Sequence, residues 1–198
     1  MVSTFVYPAL ARALKNFELI GEAARLLEDE ADWSGRILWT INPDESRFTR
    51  RLHRRYGRLK CVKFIGRQDR AAMTKLYEEM DCLLFPSRLE TWGLPISETK
   101  SLGKPMIVAD LPYAHETVGT YDRVRFVDPK DARQLANLML EAHRTGWSSA
   151  PVRADPIPPP FANDWPRLVD MIVALHEGRT LAGSVVCGGA AARAARHD

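Results

Sequence analysis

Apolar positions along this chain come in two textures, and their alternation predicts its secondary structure. Short runs rich in β-branched and aromatic residues, closed by Pro, Gly or Asp, read as strands; longer stretches with apolar residues three or four apart read as helices. Strands are expected at Val2–Tyr7, Arg36–Ile41, Cys61–Ile65, Leu83–Phe85, Met106–Ala109 and Arg123–Val127. The first helix covers Asn16–Leu27, with Leu19, Ala23, Leu26 and Leu27 on one face, and a second follows the turn Pro43-Asp44-Glu45-Ser46 and ends near Gly57. A third is expected from Ala71 to Met80, with Leu76, Tyr77 and Met80 as core positions. A fourth begins at Pro95, whose missing N–H costs nothing in a first turn, and a fifth opens after Pro129-Lys130-Asp131 and carries Leu135, Leu138 and Met139. His115 and Glu116 fall in a turn, with His115 at the surface. Regular alternation of strand and helix argues for an α/β fold, a parallel sheet with helices on both faces, over residues 1–147.

Beyond that domain the texture changes. Residues 148–163 are rich in Pro and Ala and are expected to be a linker. Residues 164–177 are expected to form a terminal helix, capped by Asn163 or Asp164, with Leu168, Met171, Ile172 and Leu175 as its apolar face. The Gly/Ala-rich stretch 178–198 has no such face and is expected to be disordered. A length of 198 residues suits one ordinary domain, and a net charge of +3 is too small to argue for a nucleic-acid partner. No apolar run approaches the roughly 18 residues of a membrane span, and Tyr7-Pro8 interrupts the short apolar start, so no signal peptide is expected. Cys61, Cys82 and Cys187 offer neither a disulfide framework nor a metal-ligand pair, which favours a reducing, cytoplasmic setting.

The candidate chemistry lies between the fourth and fifth strands. Glu90 is expected on the loop beyond a strand's carboxyl end and Glu98 in the first turn of the following helix, where the dipole favours negative charge. Both are then expected to face the crevice outside the carboxyl ends of the strands, where open α/β sheets bind ligands. The run Glu90-Thr-Trp-Gly-Leu-Pro-Ile-Ser-Glu98 resembles the E-x7-E signature of retaining GT-B glycosyltransferases of family 4, or group 1. Phe85-Pro86-Ser87 before it, Gly103-Lys104-Pro105-Met106-Ile107 after it and Leu111-Pro112-Tyr113-Ala114-His115-Glu116 beyond carry the same resemblance, which covers roughly Val2 to Glu177.

The resemblance implies one Rossmann-like half of a two-domain enzyme, the carboxyl-terminal half that holds a nucleotide-sugar. Its acceptor would be a saccharide or a lipid-linked saccharide in bacterial surface-polysaccharide assembly. A separate amino-terminal GT-B half would supply most of the acceptor site. Within this half, Lys15 matches the family's phosphate-binding lysine; where many members place an arginine ahead of it this chain has Ala9, and Arg12 is the substitute. Glu98 would accept hydrogen bonds from the ribose hydroxyls, Glu90 would stand beside the transferring sugar as the catalytic carboxylate, and the backbone N–H groups of Trp92, Gly93 and Leu94 would approach the phosphates. Arg67, after the third strand, stands at the family's base-binding loop. No metal and no cofactor are implied, because fixed cations and helix N-termini suit a diphosphate leaving group. Two other readings fit the same residues: a non-catalytic nucleotide-sugar-binding module or partner subunit, and a sugar-nucleotide epimerase, a group that shares the architecture.

Each assignment has a plainer counterpart. Lys15, Arg12 and Arg67 are otherwise solvated surface cations, Glu98 a helix-start carboxylate and Glu90 a loop carboxylate. One further feature is the helix in which Arg47, Arg50, Arg51, Arg54, Arg55 and Arg58 surround an apolar face of Phe48, Leu52 and Tyr56. It reads first as a packed helix with a solvated basic face; meeting anionic lipid is the other reading, limited to peripheral contact at the inner face of the membrane.

Overall fold

The computed structural model describes residues 2–147 and 165–179. The chain divides into two units, Met1–Asp155 and Pro156–Asp198. Among its described residues the first contains six strands: β1 (Thr4–Tyr7), β2 (Arg36–Trp39), β3 (Val62–Phe64), β4 (Cys82–Phe85), β5 (Met106–Ala109) and β6 (Val124–Val127). Its helices are α1 (Phe17–Glu28), α2 (Arg47–Tyr56), α3 (Arg70–Glu79), α4 (Leu94–Ser101), α5 (Pro112–Val118) and α6 (Ala132–Thr145). All pairings are parallel, in the order β3-β2-β1-β4-β5-β6. This is the doubly wound, Rossmann-like arrangement, in which β1 and β4 lie side by side although far apart in sequence.

The strand sequences explain the order. β1, β4 and β5 are buried at every position, as central strands covered on both faces must be; CLLF and MIVA are continuous apolar runs, and TFVY is apolar but for the buried Thr4. Toward one edge, β2 and β3 expose Arg36 and Lys63. On one layer α1 packs against both α2 and α6, while α4 packs against α5. Trp39, Tyr7, Tyr56, Phe5, Phe17 and Phe85 are the largest fully buried side chains, and the Phe17 and Tyr56 rings both meet Trp39 edge-on, at 5.2 and 6.1 Å between centroids. The Ser46 side chain caps α2 by accepting from the Thr49 N–H at 3.1 Å, and Thr49 Oγ1 accepts in return from the Ser46 N–H at 2.9 Å.

The expected strands and helices are all found, with boundaries shifted by a residue or two, and with two additions. Pro112–Val118, which includes the His115 and Glu116 expected in a turn, forms α5, and Ala13–Lys15 forms a short 3-10 turn before α1. The second unit contributes α7 (Trp165–His176), the expected terminal helix. Its expected caps, the linker 148–163, Cys187 and residues 180–198 of the tail lie outside the described residues. Among the described residues no helix is long and apolar enough to cross a membrane.

Candidate functional site

At the β1/β4 boundary the chain leaves β1 toward β2 and leaves β4 toward β5, on opposite sides. Neighbouring loops there diverge and open a crevice at the carboxyl ends of the strands. Three loops are stitched together at this point. Leu14 O accepts from the Arg88 N–H at 2.8 Å and from Ser87 Oγ at 3.3 Å. Asn16, 1% exposed and in the left-handed region at φ 59°, donates from Nδ2 to Pro86 O at 3.1 Å and to Pro129 O at 2.9 Å. The buried Tyr7 hydroxyl, at the end of β1, donates to Lys15 O, and Tyr113 of α5 donates to Ser87 O at 2.7 Å. Loops normally lie loosely on a surface; these are held by side chains from the strand end and the helix start.

The result is that Lys15 and Glu90, 75 residues apart in sequence, form an ion pair across the switch point. Their side chains are 20% and 12% exposed, so the pair is shielded but reachable from the crevice. The Lys15 ammonium also stands 5.9 Å from the Phe85 ring centroid. Burial first, and then the Glu90 charge, push the hydroxyls of Tyr7 and Tyr113 well above the ordinary tyrosine range, so both stay protonated as donors.

The Glu90 loop ends at Gly93, whose backbone (φ 84°, ψ 58°) lies in the left-handed region and begins α4 with no side-chain cap. A Cβ there would meet Ile96 Cδ1 at 3.2 Å, besides the strain of the positive φ. Trp92, 43% exposed, donates from its indole to Ser97 Oγ at 3.0 Å, and its carbonyl accepts from Thr117 Oγ1 on α5. Leu94 is 66% exposed. Because α4 starts at Leu94, Glu98 is its fifth residue, beyond the first turn in which it was expected, so the dipole contribution is weaker there. Glu98 is exposed, and its neighbour is Tyr77 of α3: burial, and then the adjoining carboxylate, raise the Tyr77 hydroxyl. The structure shows no contact of Glu98 with Lys15 or Glu90, so the two glutamates occupy different surroundings.

Residues 3–149 match the model of the family described as glycosyl transferases group 1. The chain belongs to that family. No curated protein sequence matches the chain. Among solved structures, this group 1 domain resembles Alr3699/HepE from Anabaena in complex with UDP, with a TM-score of 0.61 and 20% identity over 74% of this chain and 41% of that one. A glycosyltransferase from Rickettsia africae ESF-5 gives 0.60 and 21%, over 70% and 36% of the two chains. Sucrose-phosphate synthase from Thermosynechococcus elongatus gives 0.60 and 23%, over 73% and 37%. The group 1 domain therefore spans about two fifths of the length of the structures it matches.

The other expected residues of this group 1 glycosyl transferase domain are less tied in. Arg12 opens the 3-10 turn before Lys15, exposed, with its side chain unpartnered among the described residues. Ala9 is held by its N–H, which donates to Thr40 Oγ1 at 3.1 Å. Arg67 is exposed on the loop after β3, at the same end of the sheet but two strands from β1. His115 is a surface residue as expected, on a helix instead of a turn, 2.6 Å from Asp110 Oδ1 and stacked on Phe126. Tyr77 is a core residue as expected, 7% exposed. Sequence reasoning missed Tyr7, Asn16 and Tyr113 as positioning residues. A tyrosine closing a strand and an asparagine directly before a helix were the available signals, and neither type is rare at such places.

Proposed function

We propose that this chain is the donor-binding half of a retaining GT-B glycosyltransferase of family 4, moving a sugar from a nucleotide donor to a saccharide or lipid-linked acceptor in surface-polysaccharide assembly. The observation that carries the reading is the Lys15–Glu90 pair at the switch point, a cation and a carboxylate presented together by loops that the fold pins in place. Transfer from a nucleoside diphosphate sugar builds negative charge on the departing diphosphate and positive charge at the anomeric carbon. Lys15, with the uncapped start of α4 at Gly93 and the N–H groups of Trp92 and Leu94, answers the first; Glu90 answers the second. Arg12, exposed and without a side-chain partner among the described residues, would reach a second phosphate. Glu98, exposed and beside the Tyr77 hydroxyl, would accept from a ribose diol, and Arg67, exposed on the loop after β3, would flank the base. HepE, solved in complex with UDP-glucose, matches at a TM-score of 0.62 over 76% of this chain, which supports a nucleotide-sugar as the ligand. The acceptor site then belongs to a second, amino-terminal half.

Titration calorimetry with UDP, GDP and dTDP, alone and with attached sugar, tests this. Selective binding that is lost in both Lys15→Ala and Glu98→Ala is the expected result. Binding that survives both substitutions would remove the donor-site assignment, and a product whose anomeric configuration is inverted would remove the retaining one.

A further inference from the structure

The basic helix takes no part in the crevice. Between Arg47 and Arg67 the chain holds nine of its 28 lysines and arginines and none of its 25 aspartates and glutamates, so the rest of the sequence carries a net charge of −6. All nine are exposed. In α2, Thr49, Leu52 and Tyr56 are buried, and at 100° per residue Arg47, Arg54 and Arg58 fall on the opposite line, pointing away from the core. Gly57 continues the right-handed helical backbone at φ −67°, ψ −11°, so Arg58 extends the stripe to about 16 Å.

The flanks of the helix are treated differently. Arg51 pairs with Glu18 at 3.0 Å and Arg55 with Glu22 at 2.6 Å, both on α1, and their guanidinium groups lie over the Phe48 and Tyr56 rings at 5.3 Å. Arg50 donates to Asp44 O at 3.1 Å. The side chains of Arg47, Arg54 and Arg58 have no partner among the described residues, so a line of unneutralised guanidinium groups crowns the helix. Packing requires the apolar face of α2; nothing in the fold requires this line of charge, which repels itself.

We infer that this stripe is a docking surface for an anionic lipid bilayer. The stripe lies on α2, which packs on α1 and meets the edge strand β3 through the His53 and Phe64 rings, 5.1 Å between centroids. α2 exposes no Phe, Tyr or Trp on which the bases of a single-stranded nucleic acid could stack, since Phe48 is half-buried and Tyr56 buried. The acidic remainder of the chain orients the approach, because a molecule basic on one face and acidic elsewhere turns that face toward negative charge. Contact is electrostatic and peripheral, since Phe48 packs against the core and no apolar side chain of α2 is exposed for insertion. The surface deepens the proposed function by bringing the donor site to a lipid-linked acceptor, and it rests on that reading only for its purpose.

Co-sedimentation of the full chain with phosphatidylcholine vesicles containing about 30 mol% phosphatidylglycerol tests the inference. Binding is expected at low salt, falling away as added NaCl shortens the Debye length from about 10 Å to about 3 Å, and absent on pure phosphatidylcholine. The triple variant Arg47→Gln/Arg54→Gln/Arg58→Gln should lose about a hundredfold in partitioning, at roughly fivefold per arginine. Arg123→Gln, beside the opposite edge strand, should stay within about twofold of the parent. Circular dichroism checks that the variants fold, as expected for three exposed arginines whose side chains have no hydrogen-bond or ion-pair partner among the described residues. Failure to bind the anionic vesicles, equal binding by the triple variant, or tighter binding to a duplex oligonucleotide than to vesicles would each overturn it. UDP titration of the same samples separates the two readings: the triple variant should bind UDP normally, and Lys15→Ala should bind vesicles normally.

Discussion

Asn16 is where the loops around the crevice can be tested most directly. Its Nδ2 donates to Pro86 O and Pro129 O, joining the loops after β4 and β6 to the start of α1, while its Oδ1 is buried with no hydrogen-bond partner among the described residues. Its backbone sits at φ 59°. Three substitutions separate these contributions. Asn16→Gly accepts the positive φ and removes both donors: the buried Pro86 carbonyl loses its partner at about 1–3 kcal/mol, the more accessible Pro129 carbonyl costs about 0.5–1.5 kcal/mol, and losing the unpaired Oδ1 offsets part of this. The net expectation is about 2 kcal/mol. Asn16→Ala adds a left-handed penalty of about 1 kcal/mol, for about 3 in total. Asn16→Asp keeps the shape but turns two donated bonds into a carboxylate facing two carbonyls, and should cost the most, about 4 kcal/mol. Urea unfolding reads the series as shifts in midpoint at constant slope. The order Gly, Ala, Asp of increasing loss is the signature. An aspartate variant as stable as the parent, or a glycine variant within about 0.5 kcal/mol of it, would refute the claim that these two bonds hold the loops together.

Two further outcomes follow from single residues. Gly93→Ala should cost about 1–2 kcal/mol from its φ of +84° and the 3.2 Å approach to Ile96 Cδ1, and should weaken nucleotide binding because it moves the start of α4; calorimetry and urea unfolding read both, and an unchanged UDP affinity would count against phosphate contact there. Burial works to raise the Asp81 carboxyl, but donation from the Ser3 N–H at 2.9 Å, the Thr4 N–H at 2.8 Å and Ser3 Oγ at 2.9 Å outweighs it and holds the group below its ordinary value. A lowered folded-state pKa gives stability that is fully present above the unfolded value, about 3.9, and is lost as pH falls through the folded one. Asp81→Ala should therefore be less stable by about 1–2 kcal/mol at neutral pH, with the gap closing below about pH 4; a gap that persists to pH 2 would mean the carboxylate charge is not its source.

The strands were legible because central strands of a covered parallel sheet must be apolar at every position, as CLLF and MIVA are. α5 was not, for a physical reason. Seven residues are too few to show a helical period, and its buried positions, Ala114, Thr117 and Val118, include a small residue and a polar one. Glu98 was placed one position too early, inside the first turn, because Pro95 was read as the first helical residue, whereas the helix already starts at Leu94 after the left-handed Gly93. Lys15 and Glu90 could each be picked out by type and frame, but their pairing could not. It follows from β1 standing next to β4, a property of sheet order that no local pattern encodes. The stitching by Tyr7, Asn16 and Tyr113 was invisible for the same reason, since every one of its bonds crosses from one loop or element to another.

That pairing also sets a conflict the proposed donor must resolve. A diphosphate and Glu90 compete for one ammonium, and at 20% and 12% exposure the pair is sheltered enough for the contest to matter. If Glu90 serves the sugar and Lys15 the diphosphate, the ion pair opposes binding of the nucleotide alone and is exchanged, not simply lost, when the whole donor arrives. Glu90→Gln keeps the side chain's shape and removes its charge, releasing Lys15. UDP should then bind more tightly, by about fivefold for a coupling near 1 kcal/mol, while turnover of the nucleotide-sugar falls because the anomeric centre has lost its carboxylate. Lys15→Ala should weaken both. The opposite signs on UDP affinity distinguish a competing carboxylate from one that merely props the loop: a Glu90→Gln variant that weakens UDP binding as Lys15→Ala does would show the pair to be scaffolding, with the phosphate contact made elsewhere.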